Sequence, residues 1–154
     1  MKVRIELAEN LPEDEVLIRC GRVDETVRKI QQYILEQTGS GPKIVFYKGS
    51  GEYYLPLDEI LFFETEGDFV YAHTADDAYR IRHRLYELEE MLPRYFARAA
   101  KSTIVNTLRI RSISRNLASA SLIRFEGSHK QVYASRYYYR ELRLRMSERG
   151  IYEK

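Results

Sequence analysis

Two cations three residues apart, Arg98 and Lys101, lead into a hydroxyl pair in the stretch RAAKSTIVN (residues 98–106). A second cationic set follows downstream. Arg136, Arg140 and Arg143 are spaced four and three, so they share one face of a helix that Ser135 can cap. Tyr138, Leu142 and Met146 fall on another face, suited to packing on a sheet, and Tyr137 stands at the N-terminal end of the arginine ridge. Bidentate guanidinium groups match phosphate oxygens and guanine edges, and a helix N-terminus adds backbone N–H donors for phosphate. The chemistry on offer is recognition of an anion.

Bond-breaking chemistry is poorly supplied. His73, His83 and His129 are far apart, and neither they nor Cys20 show metal-ligand spacing. Asp76-Asp77 falls in an expected turn and Glu89-Glu90 on the polar face of an expected helix, where solvated charge is the default. Gly49-Ser50-Gly51 lacks the following helix and lysine of a phosphate loop. No enzyme, metal or cofactor is expected. Cys20 reads as a small buried thiol at a strand end. A single cysteine cannot form an internal disulfide, which fits a reducing cytoplasm. No apolar run approaches the ~20 residues of a membrane helix, and the opening MKVRIELAEN has no apolar signal core.

The net charge of +2 hides an asymmetry. Residues 1–90 hold 11 Lys and Arg against 19 Asp and Glu, a balance of −8. Residues 91–154 hold 14 against 4, a balance of +10, spread over folded elements rather than bunched in a tail. Such segregation points to a polyanion partner, or to attraction between the two halves.

KVRIEL (2–7) and VLIRC (16–20) read as strands, and Asp24 can cap a helix carrying Val23, Val27, Ile30 and Ile34 on one face. Gly39-Ser40-Gly41-Pro42 is the Gly/Pro-rich break, so residues 1–41 are expected to form a small ββα extension and residues 42–150 the main domain. There, short strands alternate with turn signals. KIVFYK and EYYLPL flank Gly49-Ser50-Gly51, ILFFET and FVYAHT flank Glu66-Gly67-Asp68, and YRIRH follows. LYELEEML is a short helix with Leu85, Leu88 and Leu92 on one side, ended by Pro93. Arg98 and Lys101 are expected in a loop, with TIVN the strand that anchors it. LRIRSI, ASLIRF and KQVYA are further strands before the final helix. The fold class is α+β, mostly β.

Three ordered blocks resemble the LytTR family of bacterial DNA-binding regulators: LDEILFFETEG with VYAH, then LEEMLPRYFARAAKSTIVN, then QVYASRYY. Together they cover roughly Pro42 to Met146. The resemblance is to the stand-alone type, without a receiver domain. It implies an elongated β-fold that inserts loops into successive major grooves of double-stranded DNA. Carried over by position, the DNA-contacting residues are Gly67 and Asp68 in the first loop. Arg98, Lys101 and Ser102 form the second, with Lys101 facing bases and Arg98 and Ser102 facing phosphates. Tyr133, Ser135, Arg136, Tyr137 and Arg140 form the third. The first loop is acidic where some relatives carry His or Arg, and Tyr137 replaces a cation common after Ser-Arg, leaving Arg136 to read alone. Ala99-Ala100 suits close backbone approach to a duplex. Family resemblance also implies direct-repeat sites, a homodimer at least on DNA, and a small membrane protein as a partner. The contrasting reading is a protein-interaction module using the acidic N-terminal half or the Tyr-rich strands (Tyr47, Tyr53, Tyr54). A single-strand RNA binder stacking bases on residues 137–139 is a third.

Overall fold

The structure is a computed structural model that describes residues 1–37, 43–116 and 118–152. The expected break at residues 39–42 lies outside them. Among the described residues are ten strands and four helices. Helix α1 spans Glu25–Gln37; strands β1 to β5 are Phe46–Lys48, Gly51–Tyr53, Phe62–Glu66, Phe69–His73 and Ala78–Ile81. Helix α2 is Leu85–Met91, followed by β6 (Phe96–Ala100), β7 (Thr103–Asn106), β8 (Ile110–Ser114), β9 (Ser121–Phe125) and β10 (Gln131–Ala134). Helices α3 (Arg136–Ser147) and α4 (Arg149–Tyr152) end the described chain. No described helix is long and apolar enough to cross a membrane.

Seven strands form one antiparallel sheet in the order β2-β1-β5-β4-β3-β7-β6, and three form a second, β10-β9-β8. The residue pairs Phe62-Phe63, Ile104-Val105 and Phe96-Ala97 explain how the sheets meet. Phe63, Ile104 and Phe96 enter one core with Leu85 and Leu88 of α2. Phe62, Val105 and Ala97 enter the other, with Ile123 and Phe125 of the small sheet and Leu142 of α3. Strands β3, β7 and β6 are therefore covered on both faces, which is why their sequences carry apolar doublets rather than alternation. On β4 and β5 only Val70, Ala72, Tyr79 and Ile81 reach the core. Their other face is open except at the His73 end, where Phe62 and Lys130 cover the imidazole.

Two expectations fail here. Residues 2–7 and 16–20 form no strands. Val3, Ile5 and Leu7 are 90%, 94% and 96% exposed, so the alternating pattern has no partner strand and no apolar surface to cover it. A lone two-stranded hairpin is at best marginal in water. The ββα extension is thus reduced to its helix, and Cys20 is exposed rather than buried at a strand end. Helix α1 forms as read, with Asp24 Oδ1 accepting from Val27 N at 3.0 Å. It lies against the main body. Glu25 pairs with the Arg94 guanidinium, which also forks onto both carboxylate oxygens of Glu148 at 2.9 and 3.0 Å. Burial, with the Glu36 carboxylate next, pushes the Tyr95 hydroxyl up to about 12.

The second correction concerns Arg98. FARAA is a strand, β6, not a loop. Its alanines explain it: Ala97 and Ala99 are buried under β10 and α3, and Ser135 N donates to Ala99 O at 2.8 Å. The small side chains admit a neighbouring strand and helix, not a duplex at Ala99. A register shift between Arg98 and Ala100 interrupts the β6–β7 ladder before its last pair, Ala100 with Thr103, which closes onto the turn at Lys101-Ser102.

Candidate nucleic-acid interface

Antiparallel register gathers the sequence-predicted loops at one end of the large sheet. Glu66 pairs with Phe69, so the turn at Gly67-Asp68 closes β3–β4, with Gly67 at φ +60°, a conformation that favours glycine. Glu64 pairs with Thr103, and Thr65 N donates to Ser102 O at 2.9 Å, which sets the Lys101-Ser102 turn beside the first. The Ser135–Ala99 bond places the start of α3 next in line. On the other flank Val70 pairs with Ile81, so Arg82 leaves β5 at the same end. Strands sit ~4.8 Å apart, so the five ends from β5 to β6 span roughly 19 Å.

Gly67, Asp68, Lys101, Ser102, Arg136 and Arg140 are all exposed, as are Tyr133 (56%) and Tyr137 (85%). Ser135 caps α3: its Oγ accepts from Tyr138 N at 3.4 Å, leaving the hydroxyl proton free to donate. Leu142 is fully buried and Met146 packs on the same core. Arg145 laces the far end of the helix to the chain, with Nη1 donating to Arg94 O (2.8 Å) and Phe96 O (3.1 Å). Asn106 satisfies turn backbone: Oδ1 accepts from Leu108 N and Nδ2 donates to Ile60 O.

Arg98 is differently placed from its neighbours. Its side chain is 17% exposed and each of its three guanidinium nitrogens donates within the protein. Nε donates to Ala100 O at 2.9 Å, Nη2 to Lys101 O and Nη1 to Glu89 of α2. The cation lies 5.9 Å from the Tyr138 ring centroid. One side chain thus joins the 101–102 turn, α2 and the first turn of α3. Position in the motif could not reveal that, because Glu89 and Tyr138 meet Arg98 only through the fold.

The cross-strand pairing also brings together a group no spacing indicated. One ligand atom each from Glu64, Glu66 and His73 lies within 4.8 Å of the others. Burial, with Lys130 next, lowers the His73 imidazole to about 4, and Lys130 Nζ is 3.2 Å from its Nδ1. An ammonium at that nitrogen favours a neutral ring, stacked on Phe62 at 4.3 Å. The unfolded histidine protonates near 6.5, the folded one only near 4, so the contribution is complete above about pH 6.5 and is lost as pH falls toward 4. Urea titrations at pH 7.5, 6 and 5 should show stability falling less steeply in His73→Gln than in the wild type. Equal pH dependence in the two proteins would remove His73 from the account.

A β scaffold that lines up an exposed cationic turn, a second exposed turn and a capped, arginine-bearing helix end is suited to binding a nucleic acid. Residues 50–147 match the LytTr DNA-binding domain, and the chain belongs to that family. It is 28% identical over 149 residues, 96% of its length and 99% of the relative's, to an uncharacterized HTH-type transcriptional regulator of Staphylococcus aureus strain NCTC 8325. A counterpart with the same description in strain MRSA252 is 27% identical with the same coverage. The LytTr DNA-binding domain of a putative methyl-accepting/DNA response regulator from Bacillus cereus superposes with a TM-score of 0.62 at 24% identity, covering 69% of this chain and 98% of that one. That likeness supports the mostly β, α+β fold expected from the sequence.

Proposed function

We propose that this protein is a transcriptional regulator that binds double-stranded DNA in a sequence-specific manner through the turn-bearing end of its large sheet. The carrying observation is the convergence, at one sheet end, of Lys101-Ser102, the Gly67-Asp68 turn and the N-terminus of α3. Helices α2 and α3 are separated by five strands, so they do not form a helix-turn-helix pair. The reading elements are turns and one helix end. Lys101 and Arg136 face base edges, while Ser102, Ser135 and Arg140 hold phosphates. Asp68 offers only an acceptor, suited to a cytosine amino group rather than to the backbone. The exposed row Val3, Ile5 and Leu7 favours an arm that pairs two protomers on DNA, since its apolar side chains have no cover within the chain.

The test is fluorescence anisotropy with a duplex selected from a random library by the full-length protein, beside a scrambled duplex. Preference for the selected duplex, with affinity falling roughly 10³–10⁵-fold between 50 and 200 mM salt for 6–10 neutralised phosphates, is expected. Equal affinity for both duplexes at every salt concentration would defeat the reading.

Within this reading Arg98 is a positioning residue, not a phosphate ligand. Glu89→Gln should weaken binding to the selected duplex several-fold, although it removes a negative charge from a DNA-binding protein. Arg98→Ala should weaken it further with the salt slope unchanged. Tighter binding by Glu89→Gln would show that the carboxylate only repels DNA and that Arg98 needs no such anchor.

A further inference from the structure

The open face of β1, β5 and β4 carries cations outside the three loops. Tyr47, Arg80 and Tyr71 are cross-strand neighbours there, and the uncovered surface forms a shallow concavity that also includes Lys48 and Arg82. Arg80 holds its guanidinium 4.0 Å from the Phe69 ring centroid, and Arg82 holds its own 4.5 Å from that of Tyr47. Both arginines are exposed. The cation beside them, Lys48, is neutralised by Asp77, and elsewhere in the chain Arg98 pairs with Glu89, Arg94 with Glu25 and Glu148, and Arg145 with Glu141. Among the described residues no carboxylate pairs with Arg80 or Arg82, even though Glu64, Glu66 and Asp68 lie on the adjoining strand and turn. Balancing those acids therefore does not explain them. An exposed guanidinium laid on an aromatic face has already lost much of its freedom, so ordering it on a ligand costs little.

We propose that Arg80 and Arg82 bind the phosphate backbone of the same duplex whose groove Lys101 and Arg136 read. This rests on the proposed function and extends it. The row of strand ends is roughly 19 Å long, whereas a major groove is about 12 Å wide. A groove centred on the Lys101 turn and the start of α3 leaves the β5 flank lying beyond its edge, over the backbone that bounds it. There the acidic first turn supplies no cation, and the two arginines do. The half of the chain with a balance of −8 thereby contributes positive charge to the interface.

The experiment compares the wild type, Arg80→Ala/Arg82→Ala, Arg80→Lys/Arg82→Lys and Lys101→Ala on selected and scrambled duplexes across 50–200 mM salt. Loss of two phosphate contacts should weaken binding to both duplexes alike and reduce the salt slope by roughly 2. The wild type's advantage over the alanine pair then shrinks roughly tenfold across that salt range. The lysine pair should keep most of the slope. An alanine pair that folds and binds with unchanged slope overturns the proposal, as does one that loses preference without losing slope. So does a lysine pair as defective as the alanine pair, which would mark the arginines as packing groups. If the alanine pair does not fold, Arg80→Gln/Arg82→Gln is read by the same criteria. Should Lys101→Ala leave preference untouched as well, the failure belongs to the proposed function, not to this surface. Capture of an acidic protein by this face, with DNA binding unaltered in the variants, also overturns it.

Discussion

Truncating Leu142 to alanine is expected to cost about 2–5 kcal/mol of stability. Leu142 is the fully buried residue of α3, reaching the core between the two sheets from a helix otherwise rich in arginine and tyrosine. For a chain of this size that loss lowers the Tm by roughly 4–20 °C. Leu144, on the same helix but 50% exposed, is the control: Leu144→Ala should change stability little. Calorimetry of both variants decides the matter. A Leu142→Ala protein as stable as the control would mean that α3 is held by its polar ties to residues 94–96 alone. Binding assays on Leu142→Ala, run well below its transition, should show weaker affinity as the helix end loses its seat.

The second large effect is expected at Arg136. If its guanidinium grips a guanine edge bidentately, Arg136→Ala lowers affinity for the selected duplex by about 1–3 kcal/mol, roughly five- to 150-fold. The scrambled duplex should lose far less, so the ratio between the two collapses. Arg140→Ala is the contrast, since a phosphate contact weakens all sequences alike and shortens the salt slope by about 1. Equal losses on both duplexes for Arg136→Ala would reassign it to the backbone and leave Lys101 as the base reader.

Most strands of the main domain were legible because their turns announce themselves: Gly49-Ser50 and Gly67-Asp68 each close a hairpin where expected, and both glycines have positive φ. The capping serine and the buried stripe of α3 were legible from spacing alone. Strand β6 was not. Its arginine argued for solvent and its alanines carried no apolar signature, since the pattern records side-chain size and polarity but not what will settle on top. The N-terminal strands failed in the opposite way, because alternation shows what a segment could pair with, not whether a partner exists. Positions of the cations were readable; their engagement was not. Arg98 and Arg136 look equivalent as letters, yet one is anchored by Glu89 and two carbonyl oxygens while the other faces solvent. Arg80 and Arg82 were hidden by averaging over an acidic half.

The row of strand ends has a consequence for how such a protein can change its target. Lateral spacing between the turns is set by backbone hydrogen bonds, which are indifferent to what the tips carry. If the proposed reading holds, exchanging Lys101, Asp68 or Arg136 would alter the letters a protomer prefers without altering the distance between the places where it reads them. New specificities are therefore reachable one substitution at a time on an unchanged foundation, like type reset in a fixed frame. Shifting the spacing itself would require adding or removing a whole strand.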